Sequence, residues 1–227
     1  MKKQIIVTTS WDDGYKKDLK LAKLLRKYKI AGTFYISREK EDKKVLLTEK
    51  DIKNLSNDFE IGAHTMKHYH LTKVPLSKAI KDIKNSKNYL EKITGKKIYS
   101  FCYPYGEHNL KIEKLVSNLG FKLARTVERF NISKPRNKFA LATTVHAYTH
   151  LKDRANLKIL SKYKTNDWEI LAKKQFDFVL KEGGVYHLWG HSWEIDKFKQ
   201  WEKLERVFKY IANKKDIKYL DNFGVIK

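Results

Sequence analysis

Short β-rich runs alternate with amphipathic helical stretches along the whole chain, and this alternation constrains the fold more than any other feature. We expect strands at 5–9, 32–36, 59–63, 98–103, 121–127, 139–143, 185–189 and 218–220. Between them, apolar spacing predicts helices at 18–28, from 48, 75–93, 110–119, 154–163, 167–180 and 198–212. No Pro/Gly/Ser-rich linker interrupts the pattern. Strands alternating with helices predict one α/β domain, residues 1–227, built on a mainly parallel sheet or barrel.

The charge of the chain is strongly positive, +23 over 227 residues. An anionic partner such as nucleic acid, a membrane surface or an acidic glycan is one interpretation. A solvated lysine surface is the other, and we favour it because the lysines are spread along the whole chain and arginines are few. We therefore expect no specific nucleic-acid binding, with attraction to a polyanionic glycan as a secondary effect.

Targeting signals are weak in this sequence. No run of about 18 apolar residues predicts a membrane span, and the first residues lack the apolar core of a signal peptide. The lone Cys102 excludes an intramolecular disulfide. We expect a cytoplasmic protein, with export by another route as the alternative.

Two polar motifs follow predicted strands. Asp12-Asp13-Gly14 comes after the first strand and His64-Thr65-Met66-Lys67-His68 after the third. Each is modest alone: the first is common in turns, and either histidine can be an exposed or capping residue. Together they can supply a divalent metal with one oxygen and two imidazoles, and leave one carboxylate as a base. The carboxyl ends of strands are where such folds collect their chemistry.

With two further motifs, the chain resembles the polysaccharide deacetylase family, that is, the NodB-homology domain of carbohydrate esterase family 4. Ser10-Trp11-Asp12-Asp13-Gly14 and the His-x-x-x-His segment match its first two motifs, and Cys102-Tyr103-Pro104-Tyr105-Gly106 matches the third. Leu188-Trp189-Gly190-His191-Ser192 matches the fifth. The motifs occur in the family's order over residues 5–195, and the resemblance implies a distorted (β/α) barrel, for which we expect seven strands.

The resemblance also implies roles. Asp13, His64 and His68 would bind Zn²⁺, with Co²⁺, Ni²⁺ or Mn²⁺ as alternatives. Asp12 would be the general base for the attacking water, and the backbone N–H of Tyr105 would help to hold the oxyanion. His191 would protonate the leaving amine. His187, deeper in the same predicted strand, is better read as a hydrogen-bonded core residue.

The sequence departs from the family pattern in two places. Position 102 is Cys where the family has an Arg that orients the base, and a thiol cannot replace a guanidinium. Arg125, at the end of the next strand, is the candidate substitute, with a surface salt bridge as an equally weighted alternative. The fourth motif is not recognisable, which leaves Glu128, Asp167 and Glu194 as candidates to orient His191.

The motifs favour one function and leave two alternatives. The first is a metal-dependent carbohydrate deacetylase, a hydrolase of non-peptide C–N bonds that removes acetyl groups from N-acetylated amino sugars. The second keeps the metal site but acts on an O-acetyl ester or a small non-glycan amide. The third, a non-catalytic module that binds glycans or polyanions, is disfavoured because the base, the ligands and the candidate acid are all retained.

Overall fold

A curved sheet of parallel strands forms the centre of the fold. The computed structural model describes residues 3–38, 45–149, 165 and 167–227. In these ranges the strands are β1 (Ile5–Asp13), β2 (Thr33–Ile36), β3 (Glu60–Ala63), β4 (Ser100–Cys102), β5 (Leu123–Arg125), β6 (Val145–His146), β7 (Gly184–Gly190) and β8 (Ile217–Tyr219).

Helices lie between most of these strands. They are α1 (Asp18–Tyr28), α2 (Glu49–Leu55), α3 (Leu76–Thr94), α4 (Leu110–Asn118), α5 (Trp168–Glu182), α6 (Ser192–Lys197), α7 (Trp201–Ile211) and α8 (Asn222–Val225). Within the described ranges, none of them combines the length and the apolar composition needed to cross a membrane.

The strand order is β5-β4-β3-β2-β1-β7-β6, with β1 near the middle and β8 paired with its first residues. The sheet curls, because Leu141 bridges to Arg125 of β5 and Val145 then pairs with Leu188 of β7. The chain segment between these two contacts thus connects the β5 end of the sheet to its β7–β6 end. The predicted distorted (β/α) barrel with a seven-strand path is confirmed, and β8 adds a short eighth strand.

Local sequence explains where several helices begin and which face they bury. Thr48, where a helix was predicted to start, forms a capping box: its hydroxyl accepts from the Asp51 N–H (3.1 Å) and the Asp51 carboxylate accepts from the Thr48 N–H (2.9 Å). In α1, Leu21 and Leu25 are fully buried at a spacing of four residues. That spacing places both on the face packed against the sheet.

Three predicted elements need comment. The strand expected at 139–143 is wrong: only Leu141 makes a bridge there, and the paired strand is β6, two residues beyond the predicted end. The helix expected at 198–212 is shorter, starts at Trp201, and is preceded by α6. The helix predicted at 154–163 lies outside the described residues.

At the amino end of the strands, a buried polar network attaches α8 to the sheet. Glu60 accepts hydrogen bonds from the Thr33 hydroxyl (2.7 Å), from the Phe223 N–H (3.1 Å) and from the Ser100 hydroxyl. The partly buried Glu60 side chain also borders a cavity of about 300 Å³. Burial, reinforced by the charge of Asp221, raises the pKa of Glu60 to about 7, although its hydrogen bonds oppose the shift.

This raised pKa predicts a pH-dependent stability. Below pH 4.5 the Glu60 carboxyl is protonated in both the folded and the unfolded chain. Between about pH 4.5 and 7 it ionises only in the unfolded chain. The free energy of unfolding therefore falls as pH rises through this range. The loss is on the order of 3 kcal/mol at most, since one pKa unit is worth about 1.4 kcal/mol. In Glu60→Gln this slope should be absent, because the amide oxygen can keep the Thr33 and Phe223 bonds without a titrating proton.

Urea unfolding of both proteins between pH 5 and 8 measures the slope. Glu202→Gln is the matched control, since the Glu202 side chain is 93% exposed. Parallel pH profiles for wild type and Glu60→Gln would contradict the assignment.

Candidate metal centre and acid–base groups

The two adjacent carboxylates end the central strand β1. Asp12 and Asp13 are both buried, with exposed fractions of 2% and 4%. Asp13 has a φ of 82° and Gly14 a φ of 74°, so the strand stops in a left-handed turn. This turn breaks the strict alternation of side chains along a strand. As a result, both carboxylates lie beside His64, which follows the end of β3.

Three side chains converge at this point with the geometry of metal ligands. Asp13 Oδ1 lies 3.7 Å from His64 Nε2 and 3.5 Å from His68 Nε2, and the two imidazole nitrogens are 3.0 Å apart. An ion bound tetrahedrally at about 2.0–2.1 Å separates its ligands by about 3.3 Å. The three atoms therefore match one face of a tetrahedral site, and the donor set suits Zn²⁺.

Backbone and loop contacts hold the two histidines in this arrangement. His64 Nδ1 lies 2.9 Å from the carbonyl oxygen of Cys102, so Nδ1 carries the proton and Nε2 faces the candidate metal. The loop that places His68 beside His64 has positive φ at Thr65 (62°) and His68 (50°). The Thr65 hydroxyl accepts from the His68 N–H at 2.9 Å and closes the turn. The spacing of four residues is thus achieved by a loop, not by a helix.

Arg125 forms a buried ion pair with the other carboxylate. Its Nη2 donates to Asp12 Oδ2 and to Cys102 Sγ (2.8 Å), and its Nη1 donates to the carbonyl of Thr126 (3.0 Å). Burial would raise the pKa of Asp12, but Arg125, with smaller contributions from His64 and His191, outweighs burial and holds that pKa below its usual value. Because the Arg125 side chain is fully buried, the alternative of a surface salt bridge is wrong.

Cys102 and His187 lie beneath this pair. The Cys102 thiol is buried, and burial raises its pKa well above the ordinary value, so the thiol is protonated. His187 Nε2 lies 2.8 Å from the Ser10 hydroxyl. Burial lowers the pKa of His187 to about 3, so this imidazole is neutral, a hydrogen-bonded core residue.

His191 follows β7 and is held by a carboxylate three residues later. Its Nδ1 lies 2.6 Å from Glu194 Oε2, and His146 Nε2 lies 3.2 Å from the same oxygen. Burial lowers the pKa of His191, but Glu194, Asp13 and Asp12 outweigh it, and the net pKa is raised. Of the three candidates considered from the sequence, Glu194 makes this contact, whereas Asp167 caps α5 through the Glu169 N–H (2.8 Å).

Tyr105 stands at the rim of the metal-ligand cluster. It lies in a 3₁₀ turn, Pro104–Gly106, with a φ of 59°. Its half-exposed ring contacts His68 edge-on at 4.7 Å and stacks on His70 at 3.9 Å. The ring of Tyr105 therefore lies beside a candidate metal ligand.

The predicted metal ligands lie in this region together with Asp12, Arg125, Tyr105 and His191, and the structure adds others. A carboxylate oxygen of Asp12 and a ring nitrogen of His64 lie within 4.8 Å of each other, which joins the Asp12–Arg125 pair to the metal-ligand triad. His191, which follows β7, is near enough for the charges of Asp12 and Asp13 to help raise its pKa.

Trp193 flanks the fifth motif in the sequence, but its contact was not predicted: the indole N–H donates to Asp13 Oδ2 at 3.0 Å. His146 is a second addition, with Nε2 3.2 Å from Glu194 Oε2. Long-range packing decides both contacts, and no local pattern marks them.

A sequence model of a known protein family matches residues 1–124, and its description is polysaccharide deacetylase. That match covers more than half of the chain and includes the first three motifs. No curated protein sequence matches significantly.

Solved structures with the same fold include several deacetylases. A Mycobacterium smegmatis protein described as a polysaccharide deacetylase has a TM-score of 0.72 at 14% identity, over 99% of this chain and 89% of its own. The chitin deacetylase of the fungus Colletotrichum lindemuthianum has a TM-score of 0.64 at 16% identity, over 98% and 88%.

A Streptococcus pyogenes deacetylase in complex with acetate has a TM-score of 0.56 at 22% identity, over 60% of this chain. The match spans 62% of that protein, less than two thirds of its length. At sequence identities of 14–22%, the similarity to these solved structures establishes the fold alone.

Proposed function

Because this chain belongs to the polysaccharide deacetylase family, we propose that it is a metal-dependent hydrolase that removes N-acetyl groups from an amino-sugar glycan. One observation carries the proposal: the two carboxylates at the end of β1 have different partners. Asp13 faces two imidazole nitrogens, whereas Asp12 is paired with a buried guanidinium. Hydrolysis by activated water needs this division, since one carboxylate binds the metal and the other accepts a proton.

Asp13, His64 and His68 are the proposed ligands. A divalent ion, Zn²⁺ by preference, supplies a Lewis acid for the acetyl carbonyl and lowers the pKa of water toward about 7. The protein's part is to present three donors on one side and to leave the other side to water and substrate.

Asp12 is the proposed general base. Its lowered pKa keeps the carboxylate ionised at neutral pH, so it can accept the proton of the attacking water. Arg125 fixes Oδ2 of Asp12, which leaves Oδ1 for that proton. The positive charge of Arg125 also stabilises the ionised Asp12 carboxylate inside this buried site.

His191 is the proposed general acid. Its raised pKa keeps a fraction of the imidazole protonated near neutral pH, ready to donate to the leaving amine. Glu194 holds Nδ1, so Nε2 is the nitrogen that donates. The N–H of Tyr105 contributes to binding the oxyanion beside the metal.

The substrate class rests on the family and on the relatives. A chitin deacetylase shares the fold over nearly the whole chain, and a second relative was solved with acetate, the expected product of deacetylation. Beside the site, a groove of about 590 Å³ is lined by Tyr15 and Trp193 together with Lys16 and Lys197. Aromatic and basic side chains of this kind suit a sugar chain with polar or acidic groups.

Acetate release with a base-deficient variant tests the proposal. The purified protein loaded with Zn²⁺ should bind one ion per chain and release acetate from N-acetylated chitooligosaccharides or peptidoglycan fragments. Asp12→Asn should keep the ion, because Asp12 is not a ligand, and lose about 10²–10⁴-fold in kcat. Asp58→Asn is the control and should retain activity, because Asp58 pairs with Arg26 on the surface and precedes the amino end of β3, away from the site.

Three results would contradict the proposal: no metal bound, metal bound with acetate released only from O-acetyl esters or small amides, or full activity in Asp12→Asn. Two ions per chain, one of them lost in His146→Ala, would show that the His146, His191 and Glu194 cluster also binds metal, which would contradict the acid role of His191.

The pH profile of activity tests the role of Glu194. A general acid must be protonated, so kcat should fall as pH rises through the raised pKa of His191. Glu194→Gln removes a main cause of that raised pKa, and burial then lowers it. The decline of kcat with rising pH should therefore occur about one pH unit or more lower than in wild type. The variant should be more impaired at pH 8 than at pH 6.

Glu107→Gln is the matched control, because Glu107 also contacts a histidine, His70, at 3.0 Å. Its pH profile should follow wild type. If kcat of Glu194→Gln declines over the same alkaline pH range as that of wild type, Glu194 does not raise the pKa of His191.

A further inference from the structure

The two oxygens of Asp13 have different neighbours. Oδ1 faces the imidazole nitrogens of His64 and His68 at 3.7 and 3.5 Å. Oδ2 accepts a hydrogen bond from the indole N–H of Trp193 at 3.0 Å. The carboxylate is 5% exposed, so little water reaches it. One oxygen is thus directed to the candidate metal and the other to a protein donor.

We infer that Trp193 is a positioning residue for the metal ligand Asp13, which it holds with a single oxygen toward the ion. The inference rests on the proposed metal site. A hydrogen bond to the second oxygen disfavours rotation of the carboxylate into two-oxygen binding, which would occupy a position needed by water or substrate. Partners that hydrogen-bond to a ligating carboxylate orient it, and their loss weakens metal binding.

The placement of Trp193 on α6 gives the contact a second consequence. Trp193 follows His191 by two residues, and their rings are 5.5 Å apart between centroids. Glu194, the next residue, holds His191. One short helix therefore fixes the proposed ligand through Trp193 and the proposed acid through Glu194, which sets the distance between the two halves of the site.

A purely structural role for Trp193 is the competing explanation. The ring also packs near Tyr15, with centroids 6.1 Å apart, and lines the groove. Loss of packing would lower the stability of the metal-free protein without changing how tightly Asp13 binds an ion. Metal affinity and ligand geometry therefore separate the two explanations.

Zinc affinity of Trp193→Phe is the test. Competition with a chromophoric chelator should show about 10–100-fold weaker Zn²⁺ binding than wild type, and the absorption spectrum of the Co²⁺ form should change because the carboxylate is reoriented. Trp201→Phe is the matched control: its indole N–H also donates to an aspartate, Asp196, at 2.9 Å. The control should bind Zn²⁺ as wild type does.

A second replacement removes the N–H alone. Substitution of Trp193 by 3-benzothienylalanine keeps the bicyclic shape and replaces N–H by sulfur, so packing is retained and the affinity should still fall. Wild-type Zn²⁺ affinity and an unchanged Co²⁺ spectrum in both variants would overturn the inference and leave the proposed function intact. Failure of the wild-type protein to bind Zn²⁺ would instead overturn the proposed function, and the inference with it.

Discussion

The ion pair between Asp12 and Arg125 is the interaction on which the rest of the site depends. Both side chains are buried, and a buried charge is tolerated only with a partner and good hydrogen bonds. Removing one partner of such a pair typically costs about 3–5 kcal/mol. The sheet supplies the compensation: β1 carries the carboxylate, β5 the guanidinium, and β4 the adjacent thiol.

The surroundings of the guanidinium connect this pair to the opposite side of the site. Arg125 lies over the ring of Trp189 at 4.8 Å, and that ring also stacks on His146 at 4.0 Å. His146 in turn contacts Glu194, which holds His191. A continuous set of packed groups therefore runs from the proposed base to the proposed acid. The geometry of both depends on the arrangement of β5 and β7.

The sheet register explains how an arginine on β5 can serve Asp12. Cys102 and Arg125 are directly paired across the parallel strands β4 and β5. The small thiol at position 102 leaves space, and the guanidinium of the neighbouring strand donates to both Sγ and Asp12. The position that the family resemblance assigns to an arginine is thus filled by a small side chain, and the charge comes from the strand beside it.

Features set by local sequence were predictable, and those set by long-range packing were not. The capping box at Thr48, the bounds of α1 and the placement of both metal-ligand motifs after strands follow from patterns within a few residues. The strand near residue 140 was misplaced because its pairing is decided by two distant strands. The hydrogen bond from Trp193 to Asp13 could not be predicted, since it joins residues 180 positions apart.

Relocating the arginine tests the central claim most directly. The variant Arg125→Cys should lose about 10²-fold or more in kcat/KM for acetate release, because the base loses its partner. The double variant Cys102→Arg/Arg125→Cys returns a guanidinium to the same carboxylate from β4, and should recover at least about tenfold over the single variant. Wild-type activity in Arg125→Cys, or a folded double variant no more active than the single one, would contradict the account.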